Sequence, residues 1–175
     1  MMQKLAWEIK CFEAELRRQD ATGLPRHLEA AYCAFNVAVT AWHLSDWTWH
    51  SLPEHHRPDV AEKLGASNKL KSFQDALIAN SRALRICKEI ANGSKHMEDR
   101  ETDIRADIAW TRHSASVGQL KAGQPIAAYN FQLIVFDGSI ELDAAEVFSD
   151  VFSFWRRLLP EWGFLDPEFV IPDEG

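Results

Sequence analysis

A chain of 175 residues that is 46% hydrophobic suits a single domain able to bury a sizeable core without covalent staples. Its net charge of −7 argues against non-specific DNA binding, which needs clustered Lys and Arg to neutralise phosphates. Three scattered cysteines (Cys11, Cys33, Cys87) with no metal-ligand spacing exclude a disulfide framework and point to a reducing, cytoplasmic setting.

Residues 3–19 predict a first helix, with Leu5, Ile9, Phe12 and Leu16 at steps of four, three and four. The charges spread through it leave no apolar core for a signal peptide. Thr22–Pro25 then breaks the pattern. From Arg26 to His50 runs a second helix, apolar on nearly every side, as expected of a central helix covered all round. Its longest apolar window is about fifteen residues and is interrupted by Asn36, Thr40 and His43, so no membrane span is expected.

A connector over 51–68 carries two prolines and room for one short helical turn. Ser67 is expected to cap a third helix running to Asn80, and Ser81 to cap a fourth that stops near Gly93. Beyond Asp99 the period changes to two. Ile104, Ala106, Ile108 and Trp110 alternate with polar residues, and "PIAAYNFQLIVF" follows as a second strand. Asp137-Gly138 supplies a tight turn into "SIEL". Asp143 with Glu146 forms a capping box for a last helix, ended by Pro160. The predicted fold is mainly α: a bundle of at least four helices with a small antiparallel β-meander before the C-terminal helix. As one domain it divides into a helical part (1–98), the meander (99–142), the last helix (143–162) and an aromatic, acidic tail (163–175).

Two polar stripes carry the candidate chemistry. In the second helix Asn36, Thr40, His43, Trp47 and His50 recur at steps of four, three, four and three. Asp46 lies within reach of either His43 or His50, and a carboxylate beside an imidazole fixes its tautomer and raises its basicity. In the fourth helix Arg85, Glu89, Asn92 and His96 repeat the spacing, with Lys95 alongside. A shared pocket of His43, Asp46, His50, Asn92, Lys95 and His96 would spare both stripes unpaired burial, which costs about 1–3 kcal/mol per group. The bland alternatives are an internal hydrogen-bonded His–Asp pair and an exposed Arg85–Glu89 ion pair.

His43, Asp46, His50, Glu89 and His96 also have the donor types of a divalent-metal site. His-x-x-Asp matches neither the zincin pattern nor the Glu-x-x-His pairs of carboxylate bundles, so no cofactor is expected. Metal-free acid–base chemistry on a phosphodiester is the enzymatic option, with His moving protons and Arg or Lys holding developing charge. Arg85, Asn92 and His96 on one helix of a small helical chain resemble the HEPN superfamily. Many of its members are dimeric, metal-independent ribonucleases of toxin–antitoxin and phage-defence systems. The resemblance implies a homodimer, an RNA or small phosphate-bearing ligand, and catalytic roles for Arg85, Asn92 and His96.

A third reading involves no chemistry. Phe148, Phe152 and Trp155 form a stripe on the last helix, and Trp162, Phe164 and Phe169 follow, which suits either core packing or a protein-interaction scaffold. The broadest expectation is a soluble intracellular protein with a polar pocket between the "HLSDW" and "NGSKH" helices.

Overall fold

The computed structural model describes residues 1–18, 27–93, 104–113 and 128–164. Six helices and three strands follow in the order α1 (Met2–Arg17), α2 (His27–Ser51), α3 (Arg57–Lys63), α4 (Leu70–Asn80), α5 (Arg82–Gly93), β1 (Ile104–His113), β2 (Ala128–Asp137), β3 (Ile140–Asp143) and α6 (Ala144–Glu161). The fold is mainly helical, with a small antiparallel sheet just before the C-terminal helix. Its strand order is β1-β2-β3.

Local chemistry explains most of the boundaries. Ser81 caps α5 through its hydroxyl, which accepts from Leu84 N at 3.1 Å. Asp143 caps α6 by accepting from Ala145 N at 2.8 Å. Asp137 pairs with Ile140, leaving Gly138 and Ser139 as a two-residue hairpin loop. Gly138 has φ +64° and Ser139 does not enter the positive region, the pattern of a type II′ turn.

Three expectations are corrected. Ser67 does not cap α4, which begins after Lys69; instead Ser67 N donates to the Ser72 hydroxyl at 2.9 Å, inside the approach to the helix. Pro160 does not end α6 but sits in its last turn, where a missing N–H removes one bond at most. The stop comes from Gly163 at φ +77°, with Gly163 N donating to Pro160 O at 3.0 Å and Phe164 N to Leu159 O at 3.0 Å. That is a Schellman closure, which satisfies the last carbonyls and ends the helix. Finally, α2 is not covered all round, because Leu28, Tyr32, Asn36, His43, Trp47 and His50 are exposed along one side.

The core lies between α2 and the other elements. Leu44, Val37 and Ala41 of α2 are fully buried with Leu5 and Phe12 of α1, Leu84 and Ile86 of α5, and Phe148, Val151 and Trp155 of α6. Phe12 meets Phe148 edge-on at 5.1 Å, and the Trp155 indole N–H donates to Ala41 O at 3.0 Å. From the sheet, Leu133 and Val135 on one face of β2 join this core, while Ile134 is buried on the other face. The C-terminal aromatic stripe is therefore structural where it is described: Phe148, Phe154 and Trp155 are core, and Phe152 packs half-buried against it. Phe169 lies outside the described residues.

Candidate functional site

The α1 and α2 helices form an antiparallel hairpin. Lys4 reaches across to Thr40 and also pairs with Glu8, and Met1 comes close to the C-terminal end of α2. Beneath this contact α2 carries three buried hydroxyls, Thr40, Ser45 and Thr48. Ser45 Oγ donates to Trp42 O at 2.7 Å and accepts from Gln74 Nε2 at 3.0 Å, so α4 latches onto α2 through one amide.

The opposite, outward side of α2 holds the predicted histidines. His43, Asp46, Trp47, His50 and Ser51 line an open pocket of about 450 Å³, with Met1 as its rim. His43 and His50 are exposed on consecutive turns, as their seven-residue spacing requires. Asp46, however, does not pair with either imidazole. Its Oδ1 accepts from Gln74 Nε2 at 3.2 Å, which turns the carboxylate toward α4. The expected tautomer-fixing pair is thus replaced by an interhelical amide contact from Gln74 of α4.

No family model, curated protein or solved structure matches the chain.

The second stripe goes elsewhere. α2 and α5 are neighbours, but they meet through other faces, with Lys88 Nζ 5.9 Å from the centre of the Trp42 ring. Neither Arg85 nor Asn92 lines the His43–His50 pocket, and Asn92 is half-buried on α5. Lys95 and His96 lie outside the described residues. Nor does Arg85 pair with Glu89. Its guanidinium donates to Asp137 Oδ2 at 2.7 Å, and Arg82 Nε donates to the same oxygen at 2.7 Å. Glu89 instead faces Lys88 at 3.7 Å. Burial alone would push the Asp137 carboxyl up, but the two arginine hydrogen bonds and charges outweigh it and hold it below its ordinary range.

Among the described residues no group of three or more His, Cys, Asp or Glu side chains could hold a metal ion. His55 and His56 stack edge-on at 4.2 Å in the loop before α3, without a third donor group. The buried Cys87 thiol is pushed up to about 12 by desolvation and packs in the core. Among the described residues no helix is long and apolar enough to cross a membrane.

What sequence reasoning missed is the apolar character of the hairpin's outer face. Six large hydrophobic residues are exposed among those described: Met1, Trp7, Leu28, Tyr32, Trp47 and Ile140. Five of the six belong to α1, α2 or the residue just before α1. The signal was present, since Leu28, Tyr32, Asn36, His43, Trp47 and His50 fall at steps of four, four, seven, four and three. It was hidden because the remaining faces of α2 are apolar as well.

Proposed function

We propose that the protein is a binding module that associates with a second copy of itself through the outer face of the α1–α2 hairpin. The observation that carries this reading is the exposure of Met1, Trp7, Leu28 and Tyr32 on that hairpin, beside Trp47, whose ring also packs against Phe164 at 5.3 Å. Aromatic and Met side chains are the residues that interface centres favour.

Size and charge fit self-association. Helices of 16 and 25 residues are about 24 and 37 Å long, and a pair is roughly 20 Å wide. The face therefore offers roughly 500–700 Å² per partner, near the lower end of stable interfaces. In a two-fold dimer a patch meets itself, so like charge on it would repel. The described hairpin is nearly neutral, with Lys4, Lys10, Arg17 and Arg18 against Glu8, Glu13, Glu15, Glu29 and Asp46, although the whole chain carries −7. His43 and His50 would then give a polar, orienting patch beside Trp47.

Sedimentation equilibrium tests the reading. The wild-type chain should dimerise with a Kd below about 100 μM, and the double change Trp7→Glu, Tyr32→Glu should weaken association about 100-fold while leaving helicity intact. A wild-type chain that stays monomeric throughout that range sinks the proposal.

One observation favours the ribonuclease reading. Two guanidiniums sharing one carboxylate oxygen leave a net positive charge, and Arg82 and Arg85 keep 45% and 41% side-chain exposure, open to a phosphate. Against it, Arg85 is already engaged, and ten residues separate it from His96, more than the four to six after the polar residue in the family motif. The purified protein is expected to leave RNA intact in the presence of a chelator. RNA cleavage that persists there and disappears in both Arg85→Ala and His96→Ala would replace the binding-module reading with the nuclease.

A further inference from the structure

Cys11 and Cys33 stand opposite each other across the α1–α2 crease by helical register. Lys4 contacts Thr40 across the antiparallel pair. Cys11 lies seven residues after Lys4, and Cys33 lies seven residues before Thr40. Seven residues are close to two turns on each helix, so both cysteines return to the side where the helices meet. Because both helices rise by the same amount per residue, the two positions are also level.

Packed helices have axes about 8–10 Å apart, and subtracting two Cα radii of about 2.3 Å leaves roughly 3.4–5.4 Å between directly facing positions, which overlaps the ~4.4–6.8 Å Cα range of a disulfide. Both thiols are half-buried, unlike Cys87, so a small oxidant can reach them from the open side of the crease. Their electrostatics agree with this placement. Burial raises Cys33 most, and next in effect is Cys11, followed by Glu15 and Glu8. Cys11 is raised by burial and by the same two glutamates. Glu8 Oε2 and Glu15 Oε2 are buried without a hydrogen-bond partner among the described residues, while the other oxygen of each is held by Lys4 and Arg18 respectively. All four groups therefore sit in one short stretch of the crease.

We propose that Cys11 and Cys33 are a redox-modifiable pair that closes an intramolecular disulfide between α1 and α2. With oxidised glutathione as the oxidant, one cysteine thiolate attacks a glutathione sulfur and releases one glutathione. The second cysteine thiolate then attacks the cysteine sulfur of that mixed disulfide and releases the other glutathione. One S–S bond forms in the protein as one breaks in the oxidant. The two cysteine protons appear on the two reduced glutathiones, and the two electrons reduce the oxidant. Burial first and the flanking glutamates second raise both thiols, which keeps thiolate scarce and makes the exchange slow.

The test uses the full chain in dilute solution, so that self-association through the same hairpin does not cover the crease. After incubation with oxidised glutathione at mildly alkaline pH, intact mass should fall by two hydrogens. Titratable thiols after denaturation should drop from three to one. Peptide mapping should join the segments holding Cys11 and Cys33, and this readout does not depend on any variant folding. Cys11→Ser and Cys33→Ser should each abolish the bridge. The oxidised protein should melt roughly 5–10 °C higher, because the bridge constrains the unfolded chain. Three titratable thiols remaining, a bridge that includes Cys87, or a crosslink between two chains would each overturn the proposal.

Discussion

Replacing Trp155 with Ala lowers the unfolding free energy by about 3–5 kcal/mol in urea denaturation, the range for emptying a large buried site. Trp155 is fully buried on α6 and touches Phe154 edge-on at 5.6 Å. Its indole N–H also donates to Ala41 O at 3.0 Å, so one side chain joins the last helix to the middle of α2. Most of the cost is volume. Ala41 O sits inside a helix and keeps its backbone partner, so removing the indole strands no acceptor. Trp155→Phe should accordingly lose less than half as much as the Ala change. A loss under about 1 kcal/mol for Trp155→Ala would show that α6 does not dock through this residue.

Asp137→Ala is expected to cost about 2 kcal/mol at neutral pH, from two charge-assisted hydrogen bonds. That figure is already discounted for solvent, since the side chains of Arg82 and Arg85 are 45% and 41% exposed. The pH dependence has a definite sign. Burial opposes ionisation of Asp137, the arginines outweigh burial, and the folded carboxyl ends below the ordinary value of 3.8. A depressed folded value means the contribution is fully present above pH 3.8 and fades as pH falls through the lower folded value. The stability gap between wild type and Asp137→Ala should thus be constant near neutrality and shrink in acid. A gap that widens on acidification would show that Asp137 is not held ionised by this clamp. The same experiment reports on α5, because the clamp ties its first turns to the β2–β3 turn.

Helix and strand phases were legible because local patterns determine them. The four-three spacing of Leu5, Ile9, Phe12 and Leu16 places α1, and the alternation before His113 places β1. The caps at Ser81 and Asp143 and the glycine of the β2–β3 turn were legible for the same reason, since each acts within three residues. The misplaced stops show where local rules compete. Pro160 seemed to end α6, but a proline in the last turn costs little, and Gly163 has the positive φ that closes a helix.

The site was less legible because its partners are remote. Arg85 has Glu89 four residues away, yet bonds Asp137, 52 residues on. Asp46 has His43 and His50 on its own helix, yet accepts from Gln74, 28 residues on. In both cases the nearby pair would form on an exposed helix surface, where such pairs are worth only a few tenths of a kcal/mol. A partner delivered by packing outcompetes them.

Fold class, the helical register of the Cys11 and Cys33 positions, and the presence of a His-rich face on α2 follow from the sequence by itself, because they depend on period and spacing. Which side of α2 meets solvent, which aromatics are core and which carboxylate holds Arg85 were decided by the tertiary structure. A helix apolar on nearly every side has no preferred inward face until its neighbours occupy three of its sides. Here α1, α5, and α4 with α6 do so, leaving Tyr32, His43, Trp47 and His50 on the outer side.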